Sequence, residues 1–240
     1  MPASTKTVHQ VEKLKDLNEK QTPENIFHAL WMEISCGILN PRERLIEHEL
    51  CERFETSNHT VRQAFELLDR AGLIVRRPNR GVEIKALNNS ELNDLYEIRI
   101  LLQREGARKI DLSRKQELAE QLTEFNRLYA TALKAEKLAD VVNANDAFHL
   151  TTFDYCTNAD LAALQRTYWL RSTAVISRAL SERSTSNASL EDHESMIAAI
   201  KAGDLELFSQ VAVSHLRPEV EAYRTIFGLA LPRPSEKKVV

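Results

Sequence analysis

Three of the seven histidines, His149, His193 and His215, are the only ones beyond residue 60. Neutral imidazole is the commonest protein ligand for a transition metal. Asn145 stands four residues before His149. On a helix that spacing leaves the two about 40° apart in azimuth and one turn apart along the axis. Asp146, three residues before His149, is a rival for the same role. Gly203-Asp204 reads as a helix stop followed by the cap of the next helix. His193 lies ten residues before Gly203 and His215 twelve after it. In an antiparallel helix pair they would lie roughly 15 and 18 Å from the turn, nearly level. Three imidazoles and one oxygen, with positions left open, suit a divalent ion: Zn²⁺ first, with Ni²⁺ or Mn²⁺ as alternatives. An organic carboxylate could then complete the shell.

Arg99 shares a helix face with Leu92, Leu95, Tyr96 and Leu102. A guanidinium pointing inward needs a partner. Either it captures a ligand carboxylate, for which its forked donors are well shaped, or it belongs to a structural ion pair. Tyr168 and Arg171 are further candidates to line an effector chamber.

The elements that must carry these groups follow from the helix breakers. No proline lies between Arg80 and His215, and only Gly81, Gly106 and Gly203 interrupt that stretch. Apolar residues recur there at spacings of three and four: Leu92, Leu95, Tyr96; then Leu161, Leu164, Tyr168, Ile176; then Ile197, Ile200, Leu207, Val211, Leu216. That period predicts an all-α bundle over residues 88–228. Ser90, at the end of the polar junction Leu87-Asn88-Asn89-Ser90, is the expected cap of its first helix.

Residues 21–87 read differently. Pro23 opens a helix over 23–35, ended by Gly37. His48–Phe54 is a second helix, and Thr56-Ser57 caps a third over Asn58–Ala71, stopped by Gly72. Two short β-branched runs then flank Pro78-Asn79-Arg80-Gly81, a hairpin signal. Three helices and a hairpin make a winged helix-turn-helix, so the fold class is mainly α. Ser57, Asn58, His59, Thr60 and Arg62 at the start of the third helix are donors suited to base edges and phosphates. Arg76, Arg77, Asn79, Arg80 and Gly81 at the hairpin, with Arg44, supply a local cationic patch. Residues 1–20 are expected to be a flexible arm and residues 229–240 a disordered tail.

The run Glu33-Ile34, Gly37-Ile38-Leu39-Asn40-Pro41, Leu45-Ile46-Glu47, Arg53-Phe54, Val61-Arg62-Gln63-Ala64, Gly72-Leu73-Ile74 and Pro78-Asn79-Arg80-Gly81 resembles the winged-helix domain of GntR-superfamily bacterial transcriptional regulators. Arg42 stands where that family usually has glycine. Ser57-Asn58-His59 replaces its common Ser-Arg-Thr, and Asn58 suits adenine better than guanine. Residues 90–228 resemble the FCD ligand-binding domain of the FadR subgroup, through Glu97-Ile98-Arg99, Asn145-Asp146-Ala147-Phe148-His149, Asp192-His193-Glu194 and Ser214-His215-Leu216. The resemblance implies a divalent metal on Asn145, His149, His193 and His215, with Asn145 in place of the family's aspartate.

The net charge of −3 excludes a generally basic nucleic-acid binder, so DNA contact must be local. The three cysteines, Cys36, Cys51 and Cys156, form no CxxC, which fits a reducing cytoplasm. No apolar run approaches the length of a membrane span. Taken with the resemblance, these features predict a cytoplasmic, nucleoid-associated homodimer. It would bind double-stranded operator DNA and respond to a small carboxylate effector, acting as a repressor of a catabolic operon. The alternative is a metal-dependent enzyme with an appended DNA-targeting module. Against it, His193-Glu194 opens no HExxH motif, because residue 197 is Ile.

Overall fold

The computed structural model describes residues 21–77 and 81–229. The expected arm over 1–20, the wing residues Asn79 and Arg80, and the tail from residue 230 lie outside them. Helix α1 (Pro23–Ser35) begins with proline in its first turn, and the Thr22 side chain accepts from the Asn25 N–H. Strand β1 (Arg44–Leu45), helices α2 (Glu47–Arg53) and α3 (Asn58–Arg70), and strands β2 (Ile74–Arg77) and β3 (Gly81–Ile84) follow. The sheet is antiparallel in the order β1-β3-β2, with Leu45 opposite Val82 and Arg77 opposite Gly81. The hairpin is therefore the expected one, with β1 added along its β3 edge. Ile26, Leu30 and Ile34 of α1 pack with Val61, Phe65 and Leu68 of α3 and with Ile74 and Ile84 of the sheet. Burying each such side chain contributes about 1.5–3 kcal/mol. Arg42 sits at φ 71°, the left-handed region. Its position is the one where the GntR resemblance favours glycine, and the backbone explains why.

The remainder is helical: α4 (Asn89–Arg108), a short 3-10 turn, α5 (Lys115–Lys134), α6 (Leu138–Asp154), α7 (Ala159–Leu180), α8 (Arg183–Ala202), α9 (Leu205–Ser214) and α10 (Leu216–Ile226). Helix α5 packs on α6 and α8, and α4 packs on α7 and α9. The expected cap of α4 is displaced by two residues. Asn88, not Ser90, is the cap, because Glu91 lies three residues on and closes a reciprocal capping box with it. Gly203 ends α8 at φ 79°, and the Asp204 carboxylate caps α9 through the Leu207 N–H at 2.9 Å. Gly106 makes room for the end of the Gln165 side chain. A Cβ there would stand 2.1 Å from Gln165 Nε2 of α7.

The expected apolar face of α7 is only partly the buried one. Leu164 is exposed and Leu161, Tyr168 and Arg171 are half-buried, whereas Gln165, Trp169, Ser172, Thr173, Val175 and Ile176 are buried. The reason is that α7 is packed on several sides. It touches α4, α6 and α10 in the bundle and α1 of the first domain. Leu170 and Ala174 pack against the first domain's core. Trp31 Nε1 donates to Thr173 Oγ1 at 2.9 Å, and Arg178 donates to the Gly37 carbonyl at 3.3 Å and to the Asn40 side chain. Leu207, also expected inward, is exposed on α9. Among the described residues no helix is long and apolar enough to cross a membrane.

Candidate metal centre and DNA-reading surface

His149 comes from α6, His193 from α8, and His215 from the junction of α9 and α10. The structure brings them together. One nitrogen from each ring lies within 4.8 Å of the others. All three are buried. Among the described residues they form the one group of three or more His, Cys, Asp or Glu side chains close enough to share an ion. The Gly203 turn makes the level placement of His193 and His215 possible, as the spacing implied.

Each ring is held. His193 stacks on Phe148 with centroids 4.0 Å apart, and Tyr129 meets it edge-on at 5.2 Å. Trp169 of α7 lies against His149 at 4.6 Å. His193 Nδ1 is 3.1 Å from Asn126 Oδ1, and His215 Nδ1 is 3.0 Å from Asp192 Oδ2. His193 Nε2 and His149 Nε2 stand 3.3 Å apart. Burial holds His149 well below the usual imidazole range, with His215, His193 and Arg99 adding to it. Burial, then His215, does the same to His193. Both rings are therefore neutral at physiological pH, which is the form that ligates metal.

The two rivals on α6 differ in what they already hold. Asp146 Oδ1 accepts from Trp169 Nε1 at 2.9 Å, and burial pushes its carboxyl up to about 7. Asn145 is 1 % exposed, yet neither atom of its amide has a hydrogen-bond partner among the described residues. A buried amide left with both ends unpaired is costly unless a further group meets it. The chemistry of the donor set thus fits a divalent ion: three buried imidazoles and one spare amide oxygen.

Arg99 points inward as expected and is buried. It donates to Glu219 of α10 at 2.6 Å, and Tyr96 donates to the same Glu219 oxygen at 2.6 Å. Burial works against the Arg99 charge, but Glu219 beside it holds the guanidinium above its ordinary range. Its carbon lies 4.8 Å from the Tyr96 ring and 5.1 Å from the Trp169 ring. The ion-pair alternative is therefore realised. One nitrogen, NH2, still has no acceptor among the described residues. Tyr168 and Arg171 do not join this group. Arg171 lies over the Tyr168 ring and reaches toward Gly72 of the first domain. The chamber residue of that stretch is Trp169. Sequence reasoning missed it, together with Asn126, Asp192's role and Glu219.

The expected DNA-reading residues that are described lie at the start of α3 and on the three-stranded sheet. Ser57 caps α3, accepting from Thr60 N at 3.3 Å, and its Oγ lies 2.9 Å from Thr60 Oγ1. Asn58, His59 and Arg62 are exposed at the start of α3, as are Arg44, Arg76, Arg77 and Gly81 on the sheet. Cys51 Sγ lies 3.1 Å from Asn58 Oδ1. Arg62 pairs with Glu47 at 2.8 Å, Arg76 with Asp69 at 3.6 Å and Arg77 with Glu83 at 3.7 Å.

Comparisons with known proteins agree with this two-part layout. Residues 22–84 match the bacterial regulatory proteins of the gntR family, and residues 94–218 match the FCD domain. The chain is 26% identical over 226 residues to the uncharacterized HTH-type transcriptional regulator BphR of Paraburkholderia xenovorans, covering 88% of this chain and 89% of that one. It is 24% identical over 206 residues to the gluconate operon transcriptional repressor of Bacillus subtilis, with 82% of each covered. A GntR transcriptional regulator from Rhodococcus sp. RHA1 shares the fold, with a TM-score of 0.72 at 22% identity over 87% of this chain and 99% of that one. These are transcriptional regulators, and none supports the enzyme alternative. The chain belongs to the GntR family of bacterial transcriptional regulators and carries an FCD domain as its second part.

Proposed function

We propose that this regulator is a ligand-responsive repressor of the FadR subgroup, controlling a catabolic operon. In this reading a divalent metal, zinc by preference, is held by Asn145, His149, His193 and His215. The effector is a small organic acid. The observation that carries the proposal is the convergence of three buried imidazoles, with the Asn145 amide and Arg99 NH2 buried and without hydrogen-bond partners among the described residues. An ion held there supplies positive charge and open coordination positions for a carboxylate. Arg99 NH2 is the nearby donor that orients the rest of the ligand, while Glu219 keeps the guanidinium in place.

The signal has a route in this reading. Trp169 packs on His149 in the chamber, and Leu170 and Ala174 of the same helix pack on the winged-helix core. A ligand that repositions Trp169 therefore bears on the helix that supports the reader. Such a ligand shifts DNA affinity only as far as it prefers one arrangement over the other. The chain would act as a homodimer, with each winged helix reading one half of a roughly twofold operator. Ser57, Asn58, His59, Thr60 and Arg62 would meet the major groove, with Arg44, Arg76, Arg77, Asn79, Arg80 and Gly81 on the phosphates.

Fluorescence anisotropy on a labelled fragment of the protein's own promoter tests this. Tight binding, released by a member of a carboxylate panel only when zinc is present, is the expected result. A chain that ignores this DNA at low salt, or releases it identically without metal, overturns the reading.

A further inference from the structure

Two oxygens outside the proposed ligand set face the chamber's rings from behind. Asn126, on α5, is 6% exposed and places Oδ1 3.1 Å from His193 Nδ1. Asp192, on α8, places Oδ2 3.0 Å from His215 Nδ1. An amide oxygen and a carboxylate only accept hydrogen bonds. Each ring must therefore carry its proton on Nδ1. In the neutral form that ligates metal, a ring has one N–H, so Nε2 is then left bare. We infer that Asn126 and Asp192 are positioning residues, which fix the tautomer and the orientation of His193 and His215 so that both offer Nε2 to the ion. The inference rests on the metal reading above for its purpose, though not for its geometry.

The third ring follows from the first two. His193 Nε2 and His149 Nε2 are 3.3 Å apart. Two bare nitrogens at that distance repel. Without an ion, His149 carries its proton on Nε2 and donates it to His193. To ligate through Nε2 it must move that proton to Nδ1. His149 is thus the ring whose tautomer changes on loading, while His193 and His215 are set in advance. The two positioning oxygens also differ. Asn126 is a neutral group in a closed site, whereas the Asp192 side chain is 34% exposed and carries a charge that strengthens its partner ring as a donor. One helix, α8, supplies both a ligand and the support for a ligand from the next helical pair. The sequence places Asp192 next to His193, but its hydrogen bond goes to His215.

The test is long-range ¹⁵N–¹H NMR of the imidazole nitrogens in the metal-free full chain, paired with a zinc titration against a chromophoric chelator. The wild-type spectrum should show Nδ1–H rings for His193 and His215 and an Nε2–H ring for His149. Asp192→Ala and Asn126→Leu should each release the tautomer of their own ring and weaken zinc binding by roughly 10- to 100-fold. Asp192→Asn and Asn126→Asp keep an acceptor, and should retain both the tautomer and most of the affinity. A wild-type spectrum with Nε2–H on His193 or His215 overturns the inference whether or not a variant folds. So does an Ala or Leu variant with unchanged tautomers and unchanged affinity. If the wild-type chain shows the expected tautomers but takes up no zinc, the positioning stands and the metal reading fails.

Discussion

The proposed reading surface and the histidine chamber both present nitrogen donors, and they are built on opposite principles. The arginines of the surface are exposed, and Arg62, Arg76 and Arg77 each lie near a carboxylate of their own domain. Such pairs are worth little in water and exchange readily for phosphate. The chamber groups are buried. Their partners are an amide, a carboxylate and packed aromatic rings, placed before any ligand arrives. As a reading surface the first set would be tuned by salt and long-range charge, while the second is tuned by geometry.

Substitutions can break or sharpen that contrast. The largest effect is expected for His193→Ala combined with His215→Ala. Zinc should no longer raise the melting temperature in a thermal-shift assay, while DNA binding by the metal-free protein persists. Next is Arg99→Ala, which leaves the Glu219 carboxylate buried without its cation. Removing one partner of a buried pair costs about 3–5 kcal/mol, to be read by urea denaturation. A stability near wild type would show that Glu219 finds another partner. Arg62→Ala should lower operator affinity about tenfold and flatten its salt dependence. Folding should change by less than about 1 kcal/mol, because the Glu47 pair is exposed. Unchanged affinity removes Arg62 from the interface. The smallest effect is expected for Arg42→Gly. Relief of the left-handed backbone, offset by the extra freedom of glycine when unfolded, should stabilise the protein by roughly 0.5 kcal/mol.

The same contrast explains what the sequence could show. The winged helix was legible because its signals are local: Pro23, Ser57, Gly72 and the hairpin turn each act within a few residues. His193 and His215 were legible because one turn, at Gly203, relates them. Glu219 was not, since it meets Arg99 across 120 residues and shares no period with it. Asn126 and Trp169 were hidden for the same reason. The face of α7 was misjudged because a helix packed on several sides has no single apolar stripe, and Ser172 and Thr173 are buried there as readily as Ile176. At the α4 cap three adjacent residues could all serve. Only the placement of Glu91 singles out Asn88.

Gly106 has a mechanical meaning. The amide end of Gln165 lies where a Gly106 side chain would begin, so α4 and α7 meet there through a buried side-chain end laid against bare backbone. Trp169 stands about 6 Å along the axis from Gln165, and Arg178, which grips Gly37 and Asn40 of the reading domain, stands about 20 Å from it. A tilt of α7 about that contact would carry the far grip roughly three times as far as the indole moves, by the 1.5 Å rise per residue.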